Sequence, residues 1–150
     1  MSINVQITFN ERQLTTFVSG FNKLDTDLEN GLMHAMESSL EDVQTEAKRR
    51  SPIQRGDLRR SITHVKPFRR GNSIVGQVGT NKEYARIQEF GGVIRARNHP
   101  YLVFKVNGSW VSVKSVRIKP KWYLRDAVRS TTPKIDQKFK KILAMRGLRK

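Results

Sequence analysis

The chain has 150 residues, a formal net charge of +16 and no cysteine. This length suits one domain, residues 1–150, whose core is large enough to fold without disulfides or a structural metal. The lack of cysteine excludes a disulfide framework, a thiolate nucleophile and a cysteine-ligated metal. No segment has the pattern of a secretion signal or a membrane span, so we expect a protein that contacts no membrane.

The charge is distributed unevenly along the chain. Residues 1–47 carry two basic and eight acidic side chains, whereas the remainder carries 27 basic and five acidic ones. Such a layout suits two kinds of partner. Neighbouring copies could pack the acidic face of one against the basic face of the next, or a nucleic acid could bind the basic part. Solubility alone is the simpler alternative.

The N-terminal elements are a strand and a short helix. Apolar residues alternate with polar ones over residues 3–9, which predicts a strand that pairs at a sheet edge or with another subunit. Apolar residues between Leu14 and Phe21 then share one helical face. Residues 1–24 could therefore form an N-terminal extension that reaches a neighbouring subunit.

A long amphipathic helix is predicted over residues 26–49, because apolar side chains recur every three or four positions. Thr26 and Glu29 have the spacing of a capping box at its start, and Pro52 ends it. Gly31 lies inside the helix, where glycine is unfavourable, and predicts a close contact or a bend.

Two hairpins follow. Residues 61–68 and 73–79 read as strands joined by a tight loop, and residues 101–106 and 109–114 flank Asn107-Gly108. Asn-Gly between strand-like runs favours a type I′ turn. Residues 116–120 read as an extended connector.

The C-terminal third is predicted to be helical. One helix begins near Trp122, and a further helix begins near Pro133 with Thr131 or Thr132 as its cap. Residues 146–150 form a basic tail. The expected fold class is α+β, in which a mostly antiparallel sheet of about four to five strands is packed by the long helix and a C-terminal helix.

The residues indicate no catalytic site, metal site or cofactor site. The three histidines lack metal-ligand spacing, and no glycine-rich loop lies at a strand-to-helix junction. Glu83 and Glu89 do not share a helical face, so we expect them to pair with basic side chains. His64 is expected to face solvent from a strand. A structural role, not an enzymatic one, is therefore predicted.

Two groups of residues are candidates for function. Tyr84, Ile87 and Phe90 are expected to anchor a short helix in the sheet, so that Gly91 and Gly92 release the loop that follows. The second group is basic and is expected to form a subunit or partner interface, with contact to DNA phosphates as the alternative. It consists of Arg95, Arg97, Lys105, Lys114, Arg117 and Lys119.

Three blocks resemble a known family. The first is Ser51–Ile62, which contains the run Gly-x-Leu-Arg-x-Ser-Ile. The second is Val78–Gly91, which contains Val-Gly-Thr-Asn and Glu-Phe-Gly, and the third is Pro120–Ala127. In this order they resemble the neck, or tail-completion, proteins of long-tailed bacteriophages, related to the minor tail protein Z group.

The resemblance implies a structural protein of the virion that is made in the cytoplasm of the bacterial host. Such a protein forms a homo-oligomeric ring between the head connector and the tail tube or tail terminator, with DNA in the lumen. Two rival functions stay open, a small basic ribonuclease of the toxin type and a non-specific DNA-binding accessory protein.

Overall fold

The computed structural model describes residues 3–10, 26–53, 56–71 and 73–145, and these form four helices and seven strands. The helices are α1 (Thr26–Arg50), α2 (Asp57–Ser61), α3 (Ala85–Phe90) and α4 (Tyr123–Met145). The strands are β1 (Ile3–Asn10), β2 (Thr63–Arg70), β3 (Ser73–Thr80), β4 (Gly92–Arg95), β5 (Leu102–Val106), β6 (Ser109–Val113) and β7 (Ser115–Ile118). The predicted helix around Leu14–Phe21 and the basic tail lie outside the described residues.

Helices α1 and α4 pack antiparallel and supply most of the core. A Cβ placed on Gly31 would lie 3.1 Å from Cγ2 of Ile142, so the close contact predicted for this glycine is confirmed. Further along the pair, the ammonium of Lys138 donates to the Ser38 carbonyl and reaches Asp42 at 2.7 Å. The predicted bounds of α1 are also confirmed, because it ends at Arg50, two residues before Pro52.

The other side of α1 packs on a three-stranded antiparallel sheet of order β1-β3-β2. The central strand β3 directs Ile74, Gly76 and Val78 toward the helix, and Ile74 and Val78 are buried in the core. The expectation that the first strand pairs at a sheet edge is confirmed by the β1–β3 register, in which Val5 lies opposite Val78.

The α+β class and the packing by a long helix and a C-terminal helix are confirmed, but the strands divide among three antiparallel sheets. Besides the three-stranded sheet, β4 pairs with β7 and β5 pairs with β6. The prediction that residues 116–120 are only a connector was wrong, because residues 116–118 belong to β7 and pair with β4. A short strand whose partner lies more than twenty residues away leaves little signal in local sequence.

The prediction of a new helix near Pro133 was also wrong, since α4 continues through this residue. Thr131 and Thr132 do not act as caps, because their hydroxyls donate to the carbonyls of Ala127 and Val128 one turn earlier. The buried face runs unbroken on both sides of the proline, from Tyr123 to Phe139. Packing on α1 therefore outweighs the hydrogen bond that proline removes.

We expect Gly76→Ala to destabilise the protein by about 1–3 kcal/mol, because the new Cβ would overpack the core. It would lie 2.6 Å from Cδ2 of Leu40. Urea denaturation of Gly76→Ala with and without Leu40→Val measures the coupling. A smaller cost in the Leu40→Val background supports the contact, and equal costs in both backgrounds contradict it.

A pH-dependent contribution to stability is expected at the C-terminal end of α1. Hydrogen bonding to Arg49, with Arg50 adding, lowers the pKa of Glu46 from 4.5 to about 2, against an opposing effect of burial. The stabilisation should therefore be fully present above the ordinary pKa and disappear as the pH falls through about 2. Urea denaturation from pH 7 to pH 2 measures the difference in unfolding free energy between wild type and Glu46→Gln. This difference should shrink toward zero as the pH falls. A difference independent of pH would contradict this assignment.

Candidate functional site

Residues 92–118 form a long two-stranded arm, defined as strands β4 to β7 with their connections. The β4–β7 and β5–β6 ladders are joined by a hydrogen bond from the Ala96 amide to the Lys114 carbonyl at 3.1 Å. Only Lys114 separates β6 from β7, so one side of the arm is nearly continuous. The opposite side is interrupted by residues 96–101. The Asn107-Gly108 hairpin at its tip is confirmed, and both residues have positive φ.

The arm carries positive charge without compensation. No Asp or Glu occurs between Glu89 and Asp126, whereas eight Lys and Arg residues do. Five of the six candidate basic residues lie on the arm, and Lys119 follows it directly. All six are exposed. No ion pair involving them is found in the part of the chain that the structure describes.

Two of these cations lie near each other on one face of the arm. Val93 lies opposite Arg117, and Arg95 lies opposite Ser115, which makes Arg95 and Arg117 diagonal neighbours in the β4–β7 ladder. Neighbouring like charges on one sheet face are unfavourable when nothing counters them. An anionic partner would remove this penalty.

The arm also exposes large apolar side chains. Of the twelve large hydrophobic residues that are exposed in the described part of the chain, half belong to it: Val93, Ile94, Tyr101, Val103, Val106 and Trp110. Trp110, at 69% exposure, lies beside the tip, and the Lys105 ammonium is 5.0 Å from its ring centroid. Apolar groups clustered on an exposed element are typical of an interaction surface.

The root of the arm is closed by backbone contacts between α3 and the start of α4. The Lys121 amide donates to the Gln88 carbonyl at 2.8 Å, and the Trp122 amide donates to the Glu89 carbonyl at 3.1 Å. Gly91 has φ +70°, and a Cβ there would lie 2.7 Å from the Ile118 carbonyl oxygen. The two ends of the arm therefore approach so closely that only glycine fits at position 91.

The expectation that Gly91 and Gly92 release a loop was wrong, because Gly92 already begins β4. Both glycines have positive φ, as a sharp change of chain direction requires. They turn the chain out of α3 and directly into the arm.

The Glu89 side chain caps helix α4. This carboxylate is only 2% exposed and accepts hydrogen bonds from the amides of Leu124 and Arg125, each at 2.9 Å. The expectation that Glu89 pairs with basic side chains was therefore wrong. Amide groups at a helix N-terminus attract negative charge, so the carboxylate both satisfies these donors and neutralises the positive end of the helix dipole.

Sequence reasoning missed this cap because Glu89 precedes the helix by more than thirty residues. The signal that could have indicated it lies at the helix start. Trp122 precedes α4 and accepts its first hydrogen bond, but its side chain lacks the oxygen that Ser, Thr, Asp or Asn supplies at an N-cap. A cap from elsewhere in the chain was therefore required.

The expected anchoring of the short helix by Tyr84 and Phe90 was wrong for the isolated chain, since their exposures are 44% and 53%. Ile87 is half-buried, and the buried members of α3 are Ala85 and Glu89. Hydrogen bonds between the C-terminal end of α3 and the start of α4 thus hold α3 in place. Its aromatic side chains remain available at the surface.

Aromatic and cationic side chains surround the root. The rings of Phe90 and Trp122 are nearly perpendicular, with 5.5 Å between their centroids, and the Arg125 guanidinium lies 4.0 Å from the Trp122 centroid. Such contacts add to simple burial. They help to hold Trp122 at φ +50°, a backbone conformation that costs energy for any residue with a side chain.

Tyr123 is fully buried beneath this cluster, and its hydroxyl has no hydrogen-bond partner among the described residues. Burial raises the pKa of the Tyr123 hydroxyl, with further contributions from the Glu89 charge and from Tyr84. The phenol therefore stays protonated across the physiological range.

The carboxylates of α1 are largely used within the fold. Glu29 pairs with Arg69 at 3.0 Å, Asp42 with Lys138 at 2.7 Å, and Glu46 with Arg49 and Arg50. The predicted acidic half is thus partly neutralised inside the chain, whereas the arm is not. Glu41 is exposed and has no such partner in the described structure.

The prediction that His64 faces solvent was wrong. Its Nδ1 lies 2.8 Å from Gln44, and its Nε2 lies 3.3 Å from Glu37, both on α1. Within the described ranges, no cluster of three or more His, Asp or Glu side chains could hold a metal ion. None of the helices there has the length and apolar character needed to cross a bilayer.

A cleft of about 630 Å³ lies between α2 and α3. It is lined by Pro52, Ile53, Gly56, Asp57, Leu58, Tyr84 and Gln88. Among these lining residues, Asp57 carries the one carboxylate, and it is paired with Arg60. The lining therefore presents no acid–base pair.

Residues 16–91 match the model of the HK97-gp10-like family, described as a candidate tail component of bacteriophage HK97. The chain belongs to this family. The matched segment contains α1, the β2–β3 hairpin and α3, and ends at the root of the arm. The comparisons with curated proteins and with solved structures each gave no match. Membership identifies a phage tail component, whereas the relation to the minor tail protein Z group stays a prediction.

We expect Glu89→Ala to lower the unfolding free energy by about 2–3 kcal/mol, because a buried and a partly buried amide at the start of α4 lose their acceptor. Glu83→Ala is the matched control. Glu83 is exposed and only six residues away, so its loss should change stability by less than about 0.5 kcal/mol. Equal effects of the two substitutions in urea denaturation would contradict the capping role.

Proposed function

We propose that this family member is a structural protein of the phage neck, which joins the head connector to the tail tube as a ring around the DNA channel. Family membership supports a place among virion proteins of the tail. The neighbours would be the head-connector protein on one side and a tail-tube or tail-terminator protein on the other. Synthesis would take place in the host cytoplasm, before incorporation into the virion.

The observation that carries this proposal is the arm. A two-stranded ribbon alone is marginally stable in water, yet this one exposes aromatic and aliphatic side chains and concentrates like charges. Such a surface is unfavourable in an isolated chain and favourable once a neighbour covers it. A closed ring uses one patch against a different patch of the next copy, as a projecting arm permits.

In this proposal the basic residues of the arm and Lys119 face a protein partner or DNA in the lumen. Tyr84 and Phe90, which are exposed at the root, would be covered by the assembled ring along with Ile87. Gly91 and Gly92 would set the direction in which the arm leaves the body. No cofactor and no catalytic residue takes part.

A DNA-binding accessory role is the second candidate, because the eight cations between Glu89 and Asp126 have no acidic counterpart in that segment. Neutralising several phosphates would give an affinity that falls steeply with salt. No described feature favours the ribonuclease alternative over these two. Gel-shift measurements across a salt series test DNA binding, and sedimentation of the free protein tests self-assembly. Together they distinguish the two candidate functions.

We expect Arg95→Glu/Arg97→Glu to block the joining of heads to tails, because the reversed charges would repel the surface that the arm contacts. The chain should stay folded, since both side chains are exposed and neither forms an ion pair with any residue that the structure describes. Electron microscopy of lysates would show separate heads and tails, and circular dichroism would report folding.

The control variant is Lys140→Glu/Lys141→Glu, which makes the same charge change on exposed positions of α4. This variant should assemble normally. Normal virions from the Arg95→Glu/Arg97→Glu phage would remove these residues from the interface.

A further inference from the structure

The outward face of α1 forms a polar stripe that complements the arm in charge. It lies opposite the buried face, and its members recur every three or four residues, so they align along the helix. We name this set the outer stripe: Asp27, Asn30, His34, Glu37, Glu41 and Thr45, of which Glu37 lies at the edge and also contacts His64 of β2. No Lys or Arg occurs in the chain from residue 26 to residue 47. The outer stripe is therefore anionic at neutral pH.

The lengths of the two surfaces agree. From Asp27 to Thr45 the helix rises about 27 Å at 1.5 Å per residue. The continuous side of the arm, from Ser109 to Ile118, spans about 30 Å at 3.3 Å per residue. An arm laid along the stripe could thus bring its cations within reach of the stripe's carboxylates, which are Asp27, Glu37 and Glu41.

A competing site for the arm would be the open edge of the three-stranded sheet at β2. This edge is poorly suited to pairing with another strand. Pro67 has no amide hydrogen to donate, Lys66 is exposed, and the register with β3 shifts between Val65 and Phe68. Proline, lysine and bulges are the devices that prevent edge-to-edge pairing. The arm is therefore expected to dock through side chains.

We propose that the arm of one copy lies along the outer stripe of α1 in the next copy. This inference rests on the proposed ring and names its contact surfaces. Each copy offers one arm and one stripe, which makes the interface heterologous and allows a ring to close. The stripe lies inside the segment that matches the family, whereas the arm lies beyond it.

Two charge-reversed variants test this contact. The arm variant is Arg95→Glu/Lys114→Glu/Arg117→Glu, and the stripe variant is Asn30→Lys/His34→Lys/Glu41→Lys. All six positions are exposed, and none of these side chains makes an ion pair within the described structure. Both variants should therefore keep the fold, which circular dichroism and urea denaturation verify.

Each variant alone should self-associate at least about tenfold more weakly than wild type at low salt, because its arm and stripe would carry the same sign. An equimolar mixture should recover association. In the mixture, the negative arm meets the positive stripe, and the unchanged arm meets the unchanged stripe. Sedimentation velocity of the two variants and their mixture, at 50 and 500 mM salt, measures this recovery.

The outcomes separate this contact from the proposed ring. Recovery in the mixture supports the arm–stripe contact, and its loss at high salt adds support. Wild-type assembly with no recovery in the mixture would overturn the contact and leave the ring intact. Two results together would overturn both the contact and the ring. They are a wild-type protein that is monomeric at every concentration in solution, and virions in which cross-linking joins no two copies of it. Duplex DNA added to the wild type should not dissociate the assemblies; dissociation would show that DNA occupies the arm instead.

Discussion

The capping of α4 by Glu89 is the interaction on which the rest of the structure depends. The carboxylate lies at the end of α3, and the amides that it binds start α4, so one side chain joins the elements on both sides of the arm. The adjacent backbone bonds at Gln88 and Glu89 close the same point. Because the ends of the arm are fixed there, its direction follows from the packing of α3 and α4 on the core.

Electrostatics distinguishes the arm, which contains no acidic residue, from the body, in which many acidic side chains pair with basic ones. Pairs such as Glu29–Arg69 and Asp42–Lys138 tie α1 to its neighbours within the chain. Surface pairs of this kind contribute little to stability individually, but they neutralise part of the acidic excess predicted for the N-terminal part, and the outer stripe of α1 stays anionic. The arm, by contrast, is a cationic, partly apolar projection. In a phage tail component, such a projection suits contacts with other virion proteins better than chemistry.

Local patterns predicted the elements whose causes are local. The bounds of α1 followed from its apolar period and Pro52, and the tip of the arm followed from Asn107-Gly108. Prediction failed where distant contacts decide the outcome. Pro133 lies inside α4 because α1 covers both sides of it, and β7 exists because β4 lies beside it. At the candidate site, the basic residues proposed from the sequence lie on or directly after the arm, whereas Glu89 was missed because its capping partners follow the whole arm.

The unequal sides of the arm have a mechanical consequence. The side formed by β6 and β7 is almost unbroken, whereas the opposite side contains the insertion of residues 96–101 between β4 and β5. Bending at this level would disturb one joining hydrogen bond, from Ala96 to Lys114, and would spare both ladders. We therefore expect the arm to bend most easily at mid-length. In the proposed ring, such a joint would let each copy adjust its reach, so that small differences in spacing between neighbours would not strain the body of the protein.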